Sequence, residues 1–345
     1  MRLISSIAYL SAGLALAGAA ATVAQASVLE NVKQRGVLNC GTDNTTPGFG
    51  YLNPKTSKME GVDVDLCRAT AAAILGDPEK VNFVVVTDKS RFNAVQTGQV
   101  DIVYAHTSVF ASRAAAIAVD FLPPYFFDGG GVMVTAASGV KSFDELAGAA
   151  ICTTQGSGSE ATIAQEVKAR NITNTKILTF DSSEKLFSAL TSGRCNVMFT
   201  DKSALAAWRG SSQTPSDYVI LPEVIGPAPF AGIVAQNDPE WRKLMTWTLY
   251  ALLQAEDWGI TSANLSEMQK SADPSIQKFL GINGGFGADF HVSDSFISDM
   301  IKGVGNYGEI YDRSLGPKTP LYLERNKTQN ALSKNGGLLY SILWL

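Results

Sequence analysis

Twelve residues, Phe92-Asn93-Ala94-Val95-Gln96-Thr97-Gly98-Gln99-Val100-Asp101-Ile102-Val103, are echoed 95 positions later by Phe187-Ser188-Ala189-Leu190-Thr191-Ser192-Gly193-Arg194-Cys195-Asn196-Val197-Met198. Each copy reads as a short helix stopped by glycine and followed by an apolar strand. The strand around Cys40 has its own counterpart over 149–153, and both precede polar, glycine-containing turns. Two similar α/β units therefore lie in tandem. Strand and helix alternate in each, which predicts a mostly parallel sheet flanked by helices. Ligands of open α/β sheets bind beyond the carboxyl ends of the strands. Two such units facing each other would hold a ligand between them.

Periodicity and turn residues place the elements. Strands are expected over 37–41, 81–86, 100–105, 132–135, 177–180 and 196–200, with extended segments over 219–222 and 230–235. Helices are expected over 66–75, 92–97, 241–255 and 296–303. Residues 54–61 read as a hairpin-like loop, and Asp128-Gly129-Gly130-Gly131 reads as a connector. Ser142 to Glu145 is a capping-box pattern that predicts a helix start. The tail beyond Gly316 is polar and irregular until it ends on the apolar residues 338–345.

Residues 1–26 carry one charge, Arg2, then an apolar Ala/Gly-rich run ending in Ala24-Gln25-Ala26. That is the pattern of a secretory signal peptide, so an exported chain beginning near Ser27 is expected. At 46% hydrophobic and 17% charged residues, the chain as a whole has ordinary globular composition. A formal charge of −4 and the lack of a basic tract argue against nucleic acid as a partner. In an exported protein, Cys40, Cys67, Cys152 and Cys195 are expected to form disulfides. Three pairings exist. Cys40 with Cys67 and Cys152 with Cys195 is the one that keeps each bridge within one unit. The two histidines, His106 and His291, have no metal-like partners nearby, so neither a metal nor a cofactor is expected.

The chemistry concentrates between Val100 and Ala116. A buried strand, a polar turn and an Ala-rich helix put Arg113 near a helix N-terminus, where a cation is disfavoured. Together with the Thr107 and Ser108 hydroxyls, Arg113 would there hold a carboxylate or phosphate. Read alone, Arg113 is a solvated surface residue; the rest of the chain gives the anion site its weight. Gly156-x-Gly158-x-x-Ala161, with Asp181 at the end of the next strand, matches a dinucleotide fingerprint on paper. An exported protein meets little dinucleotide, and the same turn can serve any small anion. No nucleophile motif surrounds either histidine. Asp63 and Asp65, two residues apart, read as structural or solvated rather than as an acid/base pair.

The runs GVLNCGTDNTTPGFGY, GVDVDLCRATAAAILGD, SRFNAVQTGQVDIVYAHTSVFASR, ICTTQGSGSE, SGRCNVMFTD and WTLYALLQAEDWGI resemble the extracellular solute-binding proteins of family 3. These are periplasmic polar amino-acid receptors of ABC importers. KGVGNYGEIYDRSLG and KNGGLLY resemble the general L-amino-acid-binding subgroup.

The resemblance implies a two-lobed periplasmic-binding-protein fold that closes like a clamp. Lobe 1 would span 27–132 and 232–345, with a C-terminal extension, and lobe 2 would span 133–231. It implies a monomer that binds a free L-amino acid, passes it to inner-membrane ABC permease subunits and catalyses nothing. By this resemblance Arg113 grips the α-carboxylate, helped by Ser108 and the N–H groups around Gly158 and Ser159, with Ser157 in the same turn. Asp201 takes the α-ammonium, together with backbone around His106 and Ser108. Asp43, Arg91 and Phe92 line the side-chain pocket. Where the subgroup usually reads Arg-Asn-Thr-Thr-Trp-Thr, this chain has Ala105-His106-Thr107-Ser108-Val109-Phe110. His106 is therefore open to two readings, a packing substitution or a ligand contact. An alternative on the same fold is an enzyme resembling cyclohexadienyl or arogenate dehydratases, with His106 as the conspicuous acid or base.

Overall fold

The computed structural model describes residues 27–344; the expected signal peptide, 1–26, and Leu345 lie outside the described residues. The chain begins with α1 (Val28–Arg35) and β1 (Leu38–Thr42), then a small antiparallel sheet of β2 (Thr45–Thr46), β3 (Gly50–Asn53) and β4 (Lys58–Glu60). It continues through α2 (Val62–Leu75), β5 (Val81–Val85), α3 (Arg91–Gln96), β6 (Ile102–Val103) and α4 (Ala111–Ala116). β1 lies between β5 and β6 and is parallel to both.

A long strand, β7 (Val119–Thr135), carries the chain into the second lobe. There follow β8 (Ala150–Thr154), α5 (Gly158–Ala169), β9 (Lys176–Phe180), α6 (Ser183–Thr191), β10 (Val197–Asp201), α7 (Lys202–Ser211) and β11 (Tyr218–Ile220). β8 lies between β9 and β10, again parallel to both. The echo in the sequence is thus a repeated topology. In each copy the helix turns into its strand at a glycine with left-handed backbone, Gly98 (φ 71°) and Gly193 (φ 73°).

The return strand β12 (Ile225–Ala235) runs antiparallel to β7 with three register shifts. Together they form the crossing between lobes, and the expected boundaries at 132/133 and 231/232 fall inside these two strands. The expected connector at 128–131 is therefore strand. Its glycines are needed for close approach: a Cβ on Gly130 would sit 2.6 Å from the Ile225 carbonyl oxygen and 2.7 Å from the Phe199 ring.

Three further expectations shift. The strand over 100–105 shrinks to Ile102–Val103, because Tyr104 N–H makes the last bond to β1 and the chain then turns at His106, φ 36°. The helix expected from 66 starts at Val62; Gly61 stops the preceding strand, and Asp63 and Asp65 suit a helix N-terminus. The capping box at Ser142 is not made. A single 3-10 turn forms there, and Glu145 accepts from Lys141 N–H instead.

After β12 come α8 (Pro239–Asp257), α9 (Leu265–Met268), α10 (Pro274–Phe279), α11 (Gly287–Phe290), α12 (Phe296–Val304) and α13 (Tyr307–Ser314), all packed on lobe 1. α8 buries Trp241, Leu244, Met245, Leu249, Leu252 and Leu253, each contributing about 1.5–3 kcal/mol. The Trp241 indole donates to the Asp101 carbonyl at 3.0 Å, so the burial leaves no polar group stranded. The apolar end of the chain also finds a seat. Trp344 is buried edge-on against Trp247, Phe279 and Phe286, at centroid distances of 4.9, 5.1 and 5.2 Å. Cys40–Cys67 pins α2 to β1 and Cys152–Cys195 pins the loop before β10 to β8, the pairing the sequence favoured.

Candidate functional site

The expected site residues meet where the two lobes face each other, at the carboxyl ends of their parallel strands. From lobe 1 come the turn after β1 (Asp43), the start of α3 (Arg91, Phe92), the loop after β6 (His106 to Phe110) and Arg113 of α4. From lobe 2 come the turn after β8 (Gly156 to Ser159) and the end of β10 (Asp201). The lobes are in contact here. Arg113 Nη2 donates to the Gly156 carbonyl at 3.2 Å, and a Cβ on Gly158 would lie 3.2 Å from both Ser108 Oγ and the Phe110 ring.

Arg113 is only 6% exposed. Its Nη1 donates to the Ser108 carbonyl at 2.7 Å, and its guanidinium lies 4.4 Å from the Phe110 ring centre and 5.0 Å from that of Phe92. Among the described residues no carboxylate pairs with it. Burial, then the Arg91 charge, pulls its pKa down to about 9. A buried cation without an anion is costly, and a bound carboxylate would remove that cost.

Asp201 is the opposite case. It is buried and precedes α7 without capping it. Burial and then the nearby Asp128 carboxylate push its pKa up, while His106 and Arg91 pull it back. Asp128 itself is pushed up by burial, against hydrogen bonds from Ser203 and Gly129. A cation placed at Asp201 would hold it ionised.

The remaining expected residues divide into engaged and free. Asp43 spends its carboxylate on its own turn: Oδ1 accepts from Asn44 N–H (2.7 Å), Thr45 N–H (3.1 Å) and Thr45 Oγ (3.0 Å), and Oδ2 accepts from Thr46 Oγ. Ser157 caps α5, accepting from Glu160 N–H at 3.0 Å and donating to the Thr154 carbonyl at 2.7 Å. The Thr107 hydroxyl turns back to the Ala105 carbonyl at 3.3 Å. The Ser108 and Ser159 hydroxyls make no such bonds among the described residues. Gly158 and Ser159 occupy the first turn of α5, where N–H groups have no intrahelical acceptor.

The dinucleotide fingerprint does not hold a phosphate cradle. Glu160 reaches back to the Gly156 N–H at 2.7 Å, placing a carboxylate where a pyrophosphate would approach. Asp181 is exposed and paired with Lys185 at 2.8 Å.

His106 is anchored by Asp63, whose Oδ2 accepts from the His106 N–H at 2.9 Å and lies 3.7 Å from Nδ1. Burial lowers the imidazole pKa, but Asp63, Asp88 and Asp43 together outweigh it and lift the pKa to about 9. Asp63 also accepts from the Tyr125 hydroxyl at 2.5 Å, and Asp65 pairs with Arg68 and Arg313. Both carboxylates are thus structural, as their spacing suggested. Sequence reasoning missed Asp88, which binds Arg91 Nη1 at 2.6 Å, and Asp128 beside Asp201. The three-residue spacing from Asp88 to Arg91 was the available signal. Asp128 gave none.

Residues 38–260 match the family model for bacterial extracellular solute-binding proteins, family 3. The general L-amino acid-binding periplasmic protein AapJ of Rhizobium johnstonii is 37% identical, over 95% of this chain and 96% of its own. The glutamate/glutamine/aspartate/asparagine-binding protein BztA of Rhodobacter capsulatus is 38% identical, over 95% and 96%. A periplasmic binding protein from Brucella ovis, solved with glutathione bound, superposes with a TM-score of 0.87 at 39% identity, covering 92% of this chain and 99% of that one. With its two-lobed architecture and a family match running from β1 to just past α8, this chain belongs to the bacterial extracellular solute-binding proteins, family 3.

Proposed function

We propose that the protein is the periplasmic receptor of an ABC importer, a monomer that binds one free L-α-amino acid between its lobes and presents it to the membrane permease. The observation that carries this reading is a pair of buried, oppositely charged groups on facing lobes, Arg113 and Asp201, neither paired with an opposite charge among the described residues. An amino-acid zwitterion is the smallest ligand that satisfies both. Its carboxylate would take Arg113, the Ser108 hydroxyl and the first N–H groups of α5. Its ammonium would take Asp201. Because the two groups come from different lobes, the ligand favours the closed arrangement by its own contacts. Relatives whose names describe amino-acid-binding proteins support the same reading.

Titration calorimetry against the twenty L-amino acids tests it. Arg113→Ala is expected to weaken binding by at least about a hundredfold, since it removes a charge-assisted contact, while the unfolding curve stays that of a folded protein. Wild-type affinity retained by the variant would end the carboxylate assignment. No turnover of prephenate or arogenate is expected. His106, the conspicuous acid or base of the alternative, is held by Asp63 with its pKa raised to about 9, so at neutral pH it is protonated and not available as a general base.

A further inference from the structure

A cavity of about 50 Å³ remains between the lobes, lined by Asp43, Asp88, Arg91 and His106 from lobe 1 and by Thr154 and Ser183 from lobe 2. That is room for about three or four water-sized groups. Arg113 and Asp201 do not line it, but two residues that do are near enough for their charges to act on them, Arg91 on Arg113 and His106 on Asp201. The Arg91 and Arg113 guanidiniums lie on the same Phe92 ring, 5.3 and 5.0 Å from its centre. A ligand whose α-groups sit at Arg113 and Asp201 would send its side chain this way.

The chemistry of this cavity is lopsided. Its carboxylates are engaged. Asp43 serves its own turn, Asp88 holds Arg91 Nη1 at 2.6 Å, and the exposed Asp181 holds Lys185 at 2.8 Å. Asp63, behind His106, is taken by the Tyr125 hydroxyl and the His106 N–H. Its donors are not used up. Arg91 is 1% exposed; Nη1 also reaches the Ala105 carbonyl at 2.9 Å, yet Nε is buried without a hydrogen-bond partner. His106 turns Nδ1 toward Asp63 Oδ2, 3.7 Å away, and among the described residues its other ring nitrogen, Nε2, makes no hydrogen bond. Two cationic side chains on one cavity thus each keep a donor nitrogen without an acceptor, Nε of Arg91 and Nε2 of His106. His106 is also held in left-handed backbone, φ 36°, by the Asp63 bond to its N–H, so its position is imposed rather than relaxed.

We propose that His106 and Arg91 form a subsite for a second carboxylate on the ligand, so that the protein selects α-amino acids carrying a distal carboxylate over their amides. This rests on the amino-acid receptor reading above. The shared chemistry has two sources: a free dicarboxylic amino acid, or a γ-glutamyl peptide that ends in its own carboxylate. The charged and titratable groups around the imidazole are Asp63 of α2, Asp43 after β1, Asp88 and Arg91 at α3, and Asp201 of β10. The carboxylates among them would repel an anion, and only the two cations with free donors offset this. Discrimination between acid and amide is therefore the sensitive readout.

Calorimetric titration of L-glutamate, L-aspartate, L-glutamine, L-asparagine and reduced glutathione into the wild-type protein and His106→Asn decides the matter. The expected result is an acid-over-amide preference of at least about tenfold in the wild type, falling to within about threefold of unity in the variant. The wild-type preference should also fade as pH rises through about 9, where the imidazolium loses its proton; glutamate and glutamine share the α-ammonium titration, so their ratio isolates this effect. Tighter binding of glutathione than of glutamate, lost in His106→Asn, assigns the subsite to a peptide carboxylate. Glutamine and asparagine binding as tightly as the acids overturns the proposal but leaves the receptor reading standing. It needs no variant, so it holds even if His106→Asn fails to fold. No binding of any of the five, with another of the twenty amino acids bound, overturns the subsite alone; no binding of any of the twenty overturns the receptor reading and the subsite with it.

Discussion

Arg113 and His106 show how a buried charge is read differently when its partner is missing and when it is present. Arg113 has carbonyls and aromatic rings around it but, among the described residues, no carboxylate paired with it, so its charge is not spent on the fold. His106 has Asp63, so part of its charge is spent on the fold. The sign of that contribution follows from linkage. The folded-state pKa of His106 lies above its unfolded value, so its stabilisation is fully present below about pH 6.5 and is lost as pH rises through about 9. Wild-type stability in urea is therefore expected to decline between those limits. Asp63→Asn should flatten that decline and cost about 2–4 kcal/mol at neutral pH, because it breaks a buried pair and weakens the Tyr125 bond. An unchanged pH slope in the variant would refute the assignment. At this scale the places of Arg113 and Asp201 were legible, since Asp201 ends the strand expected there and Arg113 lies in the helix expected after the strand over 100–105. The Asp63–His106 contact was not, since 43 residues separate the partners and no local pattern joins them.

At the scale of elements, the helix–glycine–strand echo foretold the matching strand order of the two lobes. The two crossing strands were hidden by residues that read as breakers. Pro123, Pro124 and Gly129 to Gly131 all lie inside β7. Pro124 pairs with Ala231 beside a register shift, where a missing N–H is tolerated, and the glycines admit β10 and β12 at close range. The tail was equally opaque, being polar and aperiodic, yet it grips the crossing. The Asn330 side chain accepts from Phe127 N–H at 2.7 Å and donates to the Phe127 carbonyl at 2.9 Å, acting as one more rung beside β7. Arg325, paired with Glu256 of α8, donates to the Asn330 carbonyl and fixes that segment. Asn330→Ala leaves both Phe127 groups unpaired and should cost about 1–3 kcal/mol in urea denaturation. A loss below about 0.5 kcal/mol would mean that water replaces the amide without penalty.

For the whole molecule, two compact lobes joined by a pair of antiparallel strands with register shifts form a hinge in which small backbone changes swing large bodies. Small-angle scattering is expected to report a smaller radius of gyration when a tightly bound amino acid is added. An identical scattering curve with saturating ligand would argue against closure as the recognition step. The two disulfides carry a different consequence, one of manufacture. Each joins cysteines that are neighbours in the order of the chain, Cys40 to Cys67 and Cys152 to Cys195. An oxidant that coupled thiols in the order they emerge would make both native bridges without reshuffling. On that route maturation would call for a thiol oxidase and leave a proofreading isomerase little to correct.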